Sequence, residues 1–215
     1  LVVHTQQFAA PYVGNRLTCA NCHLDAGLDP NSASFVGLSR AYPEYRARAG
    51  KVLTLADRIN DCFERNLNGK AIPQDSHKLQ AIVAYIEWLS KDVPAGSRMA
   101  WRGVPTLSST KPPDPANGAK VFTARCAFCH GADGQGTMAA PPVWGAQSYT
   151  IGSDMARVSV AASFIKQNMP RTRGWALSDQ EAYDVAAYIN SQPRPDVAGR
   201  GRDWPKGEKP ADAPN

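Results

Sequence analysis

Cys19-Ala20-Asn21-Cys22-His23 and Cys126-Ala127-Phe128-Cys129-His130 are two copies of one pattern, C-x-x-C-H, set 107 residues apart in a chain of 215. That spacing is the attachment signature of a c-type haem. Two thiols three positions apart lie along one helical turn and form thioethers to the two haem vinyl groups, and the histidine that follows turns its imidazole to the iron. Other uses of paired cysteines leave something unexplained. A zinc site would join two C-x-x-C units, but these pairs are far apart and each carries a trailing histidine. A redox C-x-x-C needs a βαβ setting, which the pattern lacks, and disulfides give the histidines no role. The sequence therefore predicts two covalently bound haem c groups, held by Cys19, Cys22 and His23 and by Cys126, Cys129 and His130. Such attachment is carried out outside the bacterial cytoplasm, so the expected compartment is the periplasm.

Outward from these motifs the chain repeats. HGADGQG, PPVWG, Asn168-Met169-Pro170 and SDQEAYDVAAYINSQ follow in the second half; HLDAGLDP, SFVGL, a segment holding Cys62 and DSHKLQAIVAYIEWLS follow in the first. Asp75 or Ser76 can cap the last helix of the first half, with Leu79, Ile82, Val83, Ile86 and Leu89 as its apolar stripe. Ser178 can cap the matching helix, with Ala182, Val185, Ala186 and Ile189 as the stripe. Asp114-Pro115 reads as a cap followed by proline at the first helical position. Both halves resemble small cytochrome c domains, each an N-terminal helix ending in C-x-x-C-H, a loop, and a C-terminal helix crossing the first. The expected fold is all-α: two tandem cytochrome c domains, 1–92 and 114–195, joined by a Pro/Ser/Gly-rich linker, 93–113, and followed by an extended or disordered tail, 196–215.

Hydrophobic residues make up 43% of the chain and charged residues 20%, ordinary values for a soluble protein. No apolar run reaches the roughly 18 residues of a membrane span. The opening LVVHTQQF lacks the basic and apolar regions of a signal peptide, so the chain reads as a processed product. Net charge is +5. No nucleic-acid motif or dense basic run accompanies it, which leaves an acidic partner protein or small anions as the readings of the basic surface.

The second axial ligands separate the halves. Met169 stands 39 residues after His130, in Asn-Met-Pro at a helix end, and is the expected ligand. Met138, in a glycine-rich loop, and Met155, in the first turn of a helix, compete with it but read better as loop and core filler. The first half has no methionine before Met99, which lies in the linker. Cys62 stands 39 residues after His23, the same register as Met169. On a helix capped by Thr54, its apolar face would be Leu55, Ile59, Cys62, Phe63 and Leu67, with Gly69 ending the helix. Cys62 could be a small buried hydrophobe on that face. It is also the unpaired fifth cysteine of a chain expected in an oxidising compartment. The register and the missing methionine favour it as the iron ligand over His77 and His4. A thiolate lowers the potential of a haem and His/Met ligation raises it, so electrons should run from the first half to the second and on to an outside acceptor. The ligand sulfur can itself react with a sulfur substrate.

Arg58-Ile59-Asn60-Asp61-Cys62-Phe63-Glu64-Arg65, with Asn68-Gly69-Lys70, resembles the dihaem thiosulfate dehydrogenases, the tetrathionate-forming cytochromes, over nearly the whole chain. The resemblance implies coupling of two thiosulfate to tetrathionate beside the first haem. Cys62 would be catalytic, Arg48 and Arg58 would form the anion pocket, and Asn66, where relatives often have Ser, would donate a hydrogen bond. It also implies a soluble electron acceptor, such as a cytochrome c or a high-potential iron–sulfur protein. Relatives carry a lysine beside the ligating methionine; here that neighbour is Asn168, with Lys166 three positions before Met169, so plain His/Met ligation is expected. The competing readings are an electron carrier with no substrate of its own, a tetrathionate reductase or thiosulfate-loading subunit, and a dihaem peroxidase with an open iron site.

Overall fold

The structure is a computed structural model that describes residues 1–108 and 111–214. Residues 109 and 110 of the expected linker and 215 of the expected tail lie outside the described residues. The elements are mostly helical. The first half holds the one-turn helix α1 (Thr5–Phe8), a single turn α2 (Leu24–Gly27) in which Asp25 and Ala26 are left-handed with φ of 52° and 57°, strands β1 (Glu44–Arg46) and β2 (Lys51–Leu53), and helices α3 (Leu55–Arg65) and α4 (His77–Leu89). The second half holds α5 (Pro115–Arg125), one-turn α6 (Ala127–His130), α7 (Val158–Asn168) and α8 (Asp179–Ser191).

The caps expected from the sequence form. Thr54 Oγ1 accepts from Asp57 N at 3.1 Å while Asp57 reaches back to Thr54 N at 2.9 Å, a capping box. Ser76, rather than Asp75, caps α4. Asp114 accepts from Ala116 N and Asn117 N ahead of Pro115, and Ser178 and Glu181 close a second capping box. The stripes go inward as read. Leu79, Ile82 and Ile86 are buried against Leu55, Ile59 and Phe63 of α3, with Val83 and Leu89 at the margin. Ala182, Val185, Ala186 and Ile189 are buried against Val121 and Phe122 of α5 and Ala161, Ala162 and Ile165 of α7.

Three local features differ from expectation. The first half has no long helix leading into its C-x-x-C-H. Helix α1 stops at Phe8, and a short 3-10 turn opened around Pro11 replaces it, because proline lacks the N–H and clashes with the preceding turn. A small antiparallel hairpin, β1–β2, pairs Tyr45 with Val52 across a turn holding Arg48. Its strands are three residues each, too short to show a period-2 pattern. Helix α3 ends at Arg65, and Asn68, not Gly69, takes the left-handed φ of 47°. Gly69 serves a close approach instead: a Cβ there would stand 1.9 Å from the carbonyl oxygen of Tyr12.

The halves are bound together along much of their length. Tyr149 and Ala156 of the second half pack into the first core, and Met155 touches both. Asn15 donates to Asn66 O at 2.9 Å and to Ser148 O at 2.8 Å. The linker lies on both: Trp101 Nε1 donates to Val36 O, and Tyr183 donates to Leu107 O. The tail is an ordered strap, pinned by Asp203 on Arg65 and Asp212 on Arg157. Among the described residues no helix is long and apolar enough to cross a membrane.

Two predictions follow from the crossing of α5 and α8. A Cβ on Gly118 would stand 2.0 Å from the carbonyl oxygen of Asp184, a backbone atom that cannot swing aside. Gly118→Ala should therefore cost about 1–3 kcal/mol, read as a lower Tm. Asp184 is 2% exposed. Burial pushes its carboxyl up, but hydrogen bonds from Asp114 N, Asn117 and Gln180 outweigh that and hold it below the usual range. A depressed carboxyl stabilises fully above its unfolded pKa, about 3.9, and its share is lost as pH falls through the folded value. The stability gap between the parent and Asp184→Asn should be widest near neutral pH and close below pH ~4; a gap independent of pH in urea unfolding would overturn this.

Candidate active site

Two clefts carry the chemistry. The first is walled by Cys19, Cys22 and His23 on one side and by Arg58, Ile59, Cys62 and Asn66 of α3 and its cap on the other. A 3-10 turn, Cys19–Asn21, opened by Thr18, presents the two thiols. His23 Nδ1 lies 2.7 Å from Ala33 O. A carbonyl oxygen only accepts, so Nδ1 carries the proton and Nε2 keeps the lone pair free for a metal. Burial pushes the His23 pKa down to about 4, keeping the ring neutral, and pushes the Cys19 and Cys22 thiols up to about 11 and about 12. Cys62 shares this cleft with the first C-x-x-C-H motif. Burial raises its thiol as well, against the pull of the Arg58 guanidinium and a hydrogen bond with Asn66. His4 and His77 are exposed and line neither cleft.

The second cleft repeats the design. His130 Nδ1 lies 2.7 Å from Pro141 O, and Cys126, Cys129, His130 and Met169 line the cavity. Met169 sits at the C-cap of α7. Met155 reaches the same cavity, whereas Met138 is fully exposed. Lys166 is engaged elsewhere, donating to Leu177 O at 2.6 Å and pairing with Asp179 at 3.0 Å. Asn168 is buried and donates to Asn31 O and Phe164 O, both at 3.0 Å, which ties the Met169 loop to the first half. Leu17 and Cys22 line both clefts. The empty space between the walls, part of it open to solvent, is about 690 Å³ in the first and about 1450 Å³ in the second. Each cleft is mainly apolar and offers the two thiols of its own motif and one histidine whose tautomer leaves Nε2 free. These residues fit a covalently attached haem.

The basic residues beside Cys62 are brought together by a segment the sequence gives no sign of. Arg48, in the hairpin turn, and Arg58, one helical turn before Cys62, both pair with Asp154 of the second half, at 2.6 Å and 3.2 Å. Arg58 pairs also with Asp61 at 2.5 Å. Ser153 donates to Asn66 Oδ1 at 2.5 Å, and Arg48 donates to Gly152 O at 2.5 Å. Partial burial would raise the Asp154 carboxyl, but Arg58 and Arg48 hold it below the usual range. The tail completes the enclosure. Trp204 N donates to Arg48 O at 2.8 Å, the Arg48 guanidinium lies 4.9 Å from the Trp204 ring, and Asp203 pairs with Arg65 at 2.7 Å. Asp154 is 96 residues from Arg58 and Asp203 is 138 from Arg65. No periodicity or motif links positions so distant; only their shared charge excess around one thiol could have hinted at carboxylate partners.

Comparison with known proteins places the chain among its relatives. The family described as SoxA/TsdA, cytochrome c domain, matches residues 5–95, and that described as cytochrome C oxidase, cbb3-type, subunit III, matches residues 113–189. The thiosulfate dehydrogenase of Allochromatium vinosum is 45% identical over 194 residues, 86% of this chain and 72% of that protein. That of Psychrobacter arcticus is 42% identical over 97% of this chain and 66% of its own length. The chain thus spans about two thirds of the length of such relatives. The structure of the thiosulfate dehydrogenase TsdBA from Marichromatium purpuratum in its "as isolated" form superposes with a TM-score of 0.87 at 39% identity, over 93% of this chain and 45% of that one. Cytochrome c domains imply covalently bound haem c. With two such domains in tandem and relatives of this similarity over most of its length, the chain belongs to the thiosulfate dehydrogenase family.

Proposed function

We propose that this chain couples two thiosulfate ions to tetrathionate in the periplasm and passes the two electrons released to a soluble acceptor protein, such as a cytochrome c or a high-potential iron–sulfur protein. The observation that carries the reading is the unpaired Cys62 in one cleft with Cys19, Cys22 and His23, beside Arg58. His23 and Cys62 would ligate the iron in the first half, and His130 and Met169 in the second. Each bound haem c supplies a one-electron redox centre, so two match a two-electron reaction.

Cys62 is the reacting group. An S–S bond forms between its sulfur and the outer sulfur of one thiosulfate as two electrons are withdrawn. The outer sulfur of a second thiosulfate then attacks that of the first, breaking its bond to Cys62, releasing tetrathionate and restoring the thiolate, as in thiol–disulfide exchange. Two dianions must meet, so cationic donors at the reacting sulfur are required. Arg48 and Arg58 supply the charge, and Asn66 orients the Cys62 sulfur. Cys22 lines both clefts, and this shared wall supports electron passage from the first half to the second.

The full chain loaded with haem should reduce ferricyanide when given thiosulfate, and Cys62→Ala should lower the rate by a factor of about 100 or more, the scale of losing a nucleophile. Equal rates would leave an electron carrier as the better description. In the ferric protein, Met169→Ala should abolish the methionine–iron charge-transfer band and leave the thiolate band intact. The same loss in Met155→Ala, and not in Met169→Ala, would reassign the ligand.

A further inference from the structure

Arg48 and Arg58 stand on different elements, a hairpin turn and helix α3, and one carboxylate from the other half of the chain lies between them. Asp154 Oδ1 is 2.6 Å from Arg48 Nη2, and its Oδ2 is 3.2 Å from Arg58 Nη2. A second nitrogen of each is also engaged: Arg48 Nη1 donates to Gly152 O and Arg58 Nη1 to Asp61 Oδ2, each at 2.5 Å. Asp61 is shared with Arg65, which pairs with it at 2.6 Å and with Asp203 at 2.7 Å, so three guanidiniums meet three carboxylates, Asp61, Asp154 and Asp203, and the cluster presents no net charge to an arriving dianion. The carboxylates differ in exposure. The Asp154 side chain is 37% exposed against 25% for Asp61, and the arginines are 15% and 22% exposed. Asp154 is thus the more accessible of these two carboxylates, and its two oxygens hold the arginines as two oxygens of a tetrahedral oxyanion would.

We infer that Asp154 is a resident anion in the substrate position: oxyanions enter by displacing its carboxylate from Arg48 and Arg58, so the second half sets the anion affinity of the first. This deepens the thiosulfate reading and rests on it for the identity of the substrate. Displacement has a distinctive sign. If Asp154 only braced the arginines, removing its charge would loosen them and weaken anion binding. If it competes with the substrate, removing its charge leaves a net positive cluster and strengthens binding.

The test uses the full haem-loaded chain with Asp154→Asn, Asp154→Ala and the charge-retaining Asp154→Glu. Sulfate, a divalent tetrahedral oxyanion that cannot react, is titrated calorimetrically at low ionic strength, and the KM for thiosulfate is measured with ferricyanide. Sulfate should bind about tenfold or more tightly to the Asn and Ala variants, by the scale of one nearby charge on a dianion, and close to the parent value in Glu. The thiosulfate KM should fall in the same two variants without a rise in kcat. Sulfate affinity that is unchanged or weaker in Asn or Ala, or no sulfate binding in any form, overturns the inference. If sulfate tightens as expected while the intact protein does not turn over thiosulfate, the resident anion stands and the substrate assignment falls.

Discussion

A hydrogen bond from an imidazole Nδ1 to a backbone carbonyl recurs at both motifs, His23 to Ala33 and His130 to Pro141, each at 2.7 Å. It fixes the tautomer and the ring plane, and so the direction in which the remaining nitrogen can bind iron. The rest of each half serves that geometry. The loop after each motif must return its carbonyl to the ring, the long helices wall the cleft, and the C-terminal helix closes the core beneath it. Burial that would be costly for a charged imidazole is acceptable because the ring stays neutral.

Much of this was legible in the sequence because it is local. A C-x-x-C-H motif states its chemistry within five residues, and caps such as Thr54–Asp57 and Ser178–Glu181 act over three. Apolar stripes show at a 3.6-residue period, which is why Leu79, Ile82 and Ile86 went where they were expected. The register that paired Cys62 with Met169 rests on the internal repeat, and both side chains reach the clefts of their own halves. The shortened first helix is intelligible from Pro11 once seen, but a single proline does not reveal whether a helix bends or is dropped.

What was not legible is what joins distant parts. The segment 150–154 touches Arg48, Arg58, Arg65 and Asn66, and its residues look like an ordinary turn before a helix. The tail read as extended or disordered because it is rich in proline, glycine and charge. Its order comes from a few contacts, Asp203 with Arg65 and Trp204 with Arg48, that become available only when the first half is folded. Local propensity carries no information about such pairings. The arginines themselves were expected to be positive; the structure surrounds them with Asp61, Asp154 and Asp203.

Cys22 faces both clefts. A thioether anchored there would serve as a party wall between two compartments, so a change at this position acts on both at once. Separating them would strip each cleft of part of its lining. Evolution of either half is thereby tethered to the other, even though each carries its own complete attachment motif.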